Sequence, residues 1–211
     1  MSEEQFSANK GLDCFRAELS EKDFQAFSRY IFSEYGIKMP PVKRVMLQGR
    51  LLKRIRELKM NSYSEYREFL FSEEGQEQEL MNFLNVVTTN KTDFYREPVH
   101  FGFLKDHVLP GFVAENGHDR PLKVWCAGAS SGEEPYTVAI ALKEFQRENP
   151  RFRYEIFATD ISSRMLETAA KGVYKESKID MVPLEMKKRY FLKSKDRNNP
   201  TVRVVPELQE N

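Results

Sequence analysis

Lys123–Leu142 reads KVWCAGASSGEEPYTVAIAL. An apolar run enters a turn of Gly, Ala and Ser, and the turn opens a helix carrying Val138, Ala141, Leu142 and Phe145 on one face. Gly128 and Gly132 allow a tight turn and close approach of a ligand to the backbone, and the helix start offers free N–H groups. The three-glycine dinucleotide pattern is missing, and Glu133 and Glu134 stand where a pyrophosphate would meet like charge. A second apolar run, Tyr154–Ala158, ends at Asp160, 28 residues after Gly132. An acid there can accept both hydroxyls of a ribose. A ligand with a ribose and a cationic group, such as S-adenosylmethionine, suits these acids better than NAD, its main competitor. The stretch also reads as an ordinary strand–turn–helix with acids where the helix dipole favours them.

Outward from this stretch, strand and helix alternate. Ser162 or Ser163 caps a helix that Gly172 stops, Pro183–Tyr190 is a short helix, and Thr201–Val205 is a strand. This order predicts a parallel α/β sheet. Two parallel strands make a poor sheet alone, so the sequence reads as the front part of a doubly wound domain. Upstream, Phe101–Val108 is a helix stopped by Pro110-Gly111.

Residues 20–87 read as a small helical bundle. Ser20-Glu-Lys-Asp23 resembles a capping box, and Phe24, Phe27, Tyr30 and Ile31 follow at helical spacing. Residues 42–60 form a second helix with Leu47, Leu51, Ile55 and Leu58 on one face. Ser62 caps a third, and a fourth runs from about Glu74 to Val87. Lys43, Arg44, Arg50, Lys53, Arg54, Arg56 and Lys59 crowd the second helix against one acid, Glu57, and much of this charge is expected to face outward. An acidic partner helix fits this charge better than nucleic acid, because interleaved aromatics are lacking. A solvated face is the plain alternative.

The bulk numbers set limits. The 211 residues carry a formal charge of +1, so any charge-driven recognition must be local. Cys14 and Cys126 are far apart, and His100, His107 and His118 give no ligand spacing, so neither a disulfide scaffold nor a metal site is expected. The polar, acidic first residues do not read as a signal peptide, and no apolar run approaches the roughly 20 residues of a membrane span. A cytoplasmic, monomeric protein without membrane insertion is expected.

TTNKTDFYREPVHF (Thr88–Phe101), VWCAGASSGEEPYTVAIAL (Val124–Leu142), FATDISSRMLETAAKGVY (Phe157–Tyr174) and KRYF (Lys188–Phe191) together resemble the chemotaxis receptor methyltransferases, the CheR family. The resemblance covers about residues 20–211. Residues 1–19, before it, read as a flexible arm. The resemblance implies a helical receptor-docking domain (20–87), then a cofactor-contacting linker (88–100). The front part of a Rossmann-like methyltransferase domain would follow (101–211), ending in the start of a small β-subdomain. The implied activity is methylation of glutamate side chains on glutamate-rich cytoplasmic helices of chemoreceptors, with S-adenosylmethionine as donor and S-adenosylhomocysteine as product. Asn90, Thr92 and Arg96 match the family's cofactor-contacting segment, Asp160 its acid after the second strand, and Glu133 or Glu134 its acidic ligand. Gly128 lies in the cofactor turn. Arg96 is the candidate for holding a carboxylate during transfer, and Arg50, Lys53 and Arg54 for meeting the receptor. The family's later Cys-Arg-Asn strand is absent, so part of the pocket is expected outside this chain. A non-catalytic docking or cofactor-sensing module and a same-fold methyltransferase with another acceptor are the alternatives.

Overall fold

The structure is a computed structural model and describes residues 18–88 and 90–209. Most of the expected arm, with Cys14, lies outside the described residues. The chain divides into two units, Met1–Thr89 and Asn90–Asn211.

The first unit is all helical: α1 (Glu21–Tyr35), a 3-10 turn (Pro41–Lys43), α2 (Arg44–Glu57), α3 (Tyr63–Leu70), α4 (Glu73–Gln78) and α5 (Leu80–Val87). Ser20 caps α1 and Ser62 caps α3 by accepting the N–H three residues on. Phe27, Leu47, Leu51, Ile55, Tyr66, Leu70 and Phe83 fill the core at 0–1% exposure. The single helix expected over 74–87 is broken in two. The joint is Glu79, at φ −114°, whose carboxylate is drawn inside rather than left on a helix face. Arg54 Nε and Nη2 donate to its two oxygens at 2.7 and 2.6 Å, and Tyr66 Oη donates at 2.9 Å.

That contact corrects the reading of α2's charge. Arg54 is not an outward-facing cation: its guanidinium is the counterion of a buried acid. Arg50 is also engaged internally, donating from Nη1 to the carbonyls of Val87 and Thr88 at 2.7 and 2.8 Å, where α5 ends and its last carbonyls lack helical partners. Lys53 does face solvent, 3.8 Å from Glu57.

In the second unit a helical stretch runs without interruption from Pro98 to Asn116: α6 (Pro98–Phe103), a π-helical turn (Leu104–Val108) and α7 (Leu109–Asn116). Pro110 was expected to stop it. Instead Leu109 N–H bonds back five residues to Leu104, and Pro110 falls in the first turn of α7, where its missing N–H has least consequence. Then follow β1 (Leu122–Ala127), α8 (Glu133–Glu148), β2 (Tyr154–Thr159) and α9 (Ser163–Lys171). β1 and β2 pair in parallel from Leu122↔Tyr154 to Ala127↔Thr159. Cys126 and Tyr154 point into the core with Leu142, Phe145 and Phe152, while the cross-strand pair Trp125 and Phe157 is exposed.

A second, antiparallel sheet follows. It comprises β3 (Val173–Lys175), β4 (Phe191–Lys193) and β5 (Thr201–Val204) in the order β3-β5-β4, with a 3-10 turn (Glu176–Ile179) and α10 (Leu184–Tyr190) between β3 and β4. Only β5 was expected; three-residue strands give too short an alternation to read. Tyr174, Tyr190, Phe191, Val202 and Val204 pack with Phe94, Tyr136 and Ile140 in one core, so this small sheet is anchored on α8.

Candidate cofactor site

The site forms where β1 and β2 end side by side. Gly128 and Ala129 donate their backbone N–H groups to Thr159 O at 2.8 and 2.9 Å, which hangs the turn from the last residue of β2. Three of the next residues have positive φ: Gly128 (77°), Ser130 (50°) and Gly132 (98°). A Cβ on Gly128 would meet nothing within 4 Å, whereas one on Gly132 would lie 2.8 Å from both Ala169 Cβ and Tyr174 Oη. Gly128 therefore faces open space and Gly132 faces packed protein.

Asp160 staples the turn. Its Oδ2 accepts Ser130 N–H at 2.7 Å and its Oδ1 accepts Ser162 N–H at 2.8 Å. Ser162 in turn caps α9 through its hydroxyl. From the other side, Tyr174 Oη donates to Ser131 O at 2.7 Å.

The two glutamates part company. Glu133 is 1% exposed. Ser131 Oγ donates to its Oε2 at 2.6 Å, and Lys178 Nζ lies 3.4 Å from its Oε1. Glu134 is exposed. Its charge adds to burial in pushing the Cys126 thiol, on β1, up to about 11.

Residues 90–96 lie along this turn and the start of α8. Ser130 Oγ donates to Asn90 O at 3.2 Å, and Tyr95 N–H to Thr137 Oγ1 at 3.2 Å. Phe94 is buried edge-on to Tyr174 and Phe191, at centroid distances of 5.1 and 5.3 Å. Arg96 is exposed and donates from Nη1 to Lys91 O at 3.1 Å. It sits between two non-glycine residues in the left-handed region, Tyr95 (φ 53°) and Glu97 (φ 55°). Such conformations persist only where surrounding contacts impose them.

Residues 22–88 match the family model described as CheR methyltransferase, all-alpha domain, and residues 90–211 match CheR methyltransferase, SAM binding domain. The chain belongs to the CheR methyltransferase family. It is 36% identical over 192 residues to chemotaxis protein methyltransferase 2 of Pseudomonas aeruginosa, covering 90% of this chain and 65% of that protein. It is 35% identical over 193 residues to the chemotaxis protein methyltransferase of Escherichia coli, covering 92% and 64%. For that of Borreliella burgdorferi the identity is 32% over 181 residues, covering 84% and 64%. The chain thus spans somewhat under two thirds of the length of these relatives. S-adenosylmethionine is the cofactor class of its second unit.

Within this CheR domain the structure gathers Asn90, Thr92, Gly128, Glu133 and Asp160 around one turn. Among the described residues, no hydrogen bond or ion pair joins Arg96 or Glu134 to the other candidates. Sequence reading passed over Ser130, Thr137, Tyr174 and Lys178, and named Ser162 only as a helix cap. Tyr174 closes the quoted FATDISSRMLETAAKGVY stretch, but nothing in a strand tyrosine announces a bond to a turn 43 residues earlier. Among the described residues, no helix is long and apolar enough to cross a membrane.

Proposed function

We propose that the chain takes part in methyl transfer from S-adenosylmethionine to glutamate side chains on the cytoplasmic helices of chemoreceptors, as a monomeric cytoplasmic protein. The observation that carries this reading is the stapled turn: a glycine open to a ligand, an acid fixed at the strand ends, and residues 90–96 strapped alongside. The relatives' names, chemotaxis protein methyltransferases, favour the same acceptor class.

The residues fit the cofactor's chemistry. A carboxylate has about four lone-pair sites. Asp160 uses two on backbone N–H groups and keeps others for ribose hydroxyls. Glu134, exposed and unpaired by any described residue, is better suited than the buried Glu133 to take the methionine ammonium. The missing Cβ of Gly128 lets the ligand lie close to the backbone. When bound, S-adenosylmethionine supplies an activated methyl sulfonium.

Little acid–base work remains for the protein. A glutamate with a reference pKa of about 4.3 is already ionised at neutral pH. Alignment of carboxylate oxygen with the methyl carries the catalysis, and such positioning is worth roughly 7 kcal/mol or more. Arg96 has its Nη2 and Nε free of described partners and can orient a carboxylate, of cofactor or substrate, by a two-point contact.

Titration of the chain with S-adenosylhomocysteine, followed by transfer of labelled methyl to a receptor cytoplasmic fragment, tests this reading. Saturable binding lost in Asp160→Ala, and label on receptor glutamates, are expected. Binding without transfer to any receptor fragment, even by a chain extended past Asn211, would leave a cofactor-sensing module instead.

A further inference from the structure

Resting on the cofactor reading above, we infer that Lys178 is a positioning residue: it pins Thr92–Asp93 to the buried carboxylate of Glu133 and so fixes the segment bearing Asn90, Thr92 and Arg96. An ammonium has three donors and no acceptor. The three acceptors around Lys178 Nζ are Thr92 O at 2.9 Å, Asp93 Oδ1 at 3.1 Å and Glu133 Oε1 at 3.4 Å. With its donors thus engaged, Lys178 holds protein to protein and leaves the orientation of a substrate carboxylate to Arg96.

The need for such a pin follows from Glu133. A carboxylate at 1% exposure is costly unless paired and hydrogen-bonded. Ser131 Oγ provides one hydrogen bond and the start of α8 a favourable dipole, but among the described residues Lys178 is the only cation against it. The segment 90–96 gains from the same contact. Among the described residues its other polar ties to the turn and α8 are single bonds at its two ends, from Ser130 to Asn90 O and from Tyr95 to Thr137. Lys178 holds its middle. Burial opposes the charge on Lys178, and the Asp93 hydrogen bond and Glu133 charge outweigh it, so the ammonium titrates above its ordinary value. The placement of Lys178 is itself braced: four residues earlier Tyr174 donates to Ser131 O, so one short stretch of chain ties both the turn and Thr92–Asp93.

The test uses the 211-residue chain and its variants Lys178→Met, Lys178→Arg and Asp93→Asn. Two readouts are needed: the Kd for S-adenosylhomocysteine, and hydrogen exchange of the amides of 91–96 without ligand. Lys178→Met is expected to weaken binding about tenfold or more and to speed exchange in 91–96 while α9 stays protected. Lys178→Arg is expected to restore most of both. Asp93→Asn, at a half-exposed position, tests the pin if Lys178→Met fails to fold, and is expected to weaken binding about threefold with faster exchange in the same segment. If Lys178→Met, or Asp93→Asn in its place, binds as wild type with unchanged exchange, this inference is overturned and the cofactor reading stands. A wild-type chain that binds no S-adenosylhomocysteine overturns the cofactor reading, and this inference with it.

Discussion

Ser130 N–H donates to Asp160 Oδ2 at 2.7 Å across the ends of the two parallel strands. Ser130 is held at φ 50°, a conformation a serine rarely adopts, and the carboxylate is what rewards it. Asp160 therefore shapes the turn before it meets any ligand. Asp160→Asn keeps the volume but turns an NH2 group toward one of two backbone donors. Hydrogen bonds to charged groups contribute about 1.5–3 kcal/mol. Affinity for S-adenosylhomocysteine is expected to fall about 10- to 100-fold, with a Tm lower by several degrees. Calorimetric titration and thermal melting check this, and a variant that lost binding with no change in Tm would show that the staple contributes nothing to the fold.

The two glycines of the turn separate stability from ligand access. Gly132→Ala drives a Cβ into Ala169 and Tyr174 at 2.8 Å with φ at 98°. Overpacking and backbone strain each cost about 1–3 kcal/mol. Gly128→Ala meets open space and carries only the strain of φ 77°. Gly132→Ala is expected to lower Tm more than Gly128→Ala, while Gly128→Ala loses more affinity per degree of Tm. Melting and S-adenosylhomocysteine binding measured on both proteins check the contrast.

Alkaline pH should loosen the second unit. Burial, with a contribution from Glu134, moves the Cys126 thiol from 9.0 up to about 11. Burial moves Tyr154 from 10.0 up to about 12, and burial with the Glu144 charge does the same to Tyr95. A raised folded pKa means that the fold keeps a proton which the unfolded chain releases. The stability this gives is complete below the unfolded values and is lost as pH rises toward the folded ones. The Tm of the second unit is expected to fall from about pH 9 onward, and Cys126→Ser to postpone the onset toward pH 10. Calorimetric scans across this range check it; a Tm unchanged up to pH 11 would contradict the assignment.

Much of this was legible in the sequence because it is local. The 3.6-residue apolar spacing marked α1, α2 and α8, and Gly172 marked the end of α9. The glycine turn, its two glutamates and Asp160 could be singled out from spacing alone. What escaped is non-local. No pattern says that Arg54 reaches Glu79, that Lys178 answers Glu133, or that a π-helical turn lets Pro110 continue a helix. Buried charges choose partners by three-dimensional proximity, and those choices decided which of Arg50, Lys53 and Arg54 remained on the surface.

That difference reshapes the test of receptor docking. Arg54→Glu would set a second acid against buried Glu79, and breaking a buried pair costs about 3–5 kcal/mol. For a small helical unit this is expected to lower Tm by well over 10 °C, so lost methylation would report unfolding. Arg50→Glu would remove the donor to Val87 O and Thr88 O and carries the same ambiguity. Lys53 gives the clean experiment. It is exposed and among the described residues makes only an i,i+4 contact to Glu57, whose loss is worth about 0.5 kcal/mol. If this face of α2 meets acidic receptor helices, Lys53→Glu reduces methylation of a receptor fragment several-fold, more at low salt than at high, because screening weakens long-range attraction. Its Tm falls by no more than a few degrees, and its affinity for S-adenosylhomocysteine stays at the wild-type value. Wild-type methylation rates by Lys53→Glu at low salt would remove this face of α2 from receptor recognition.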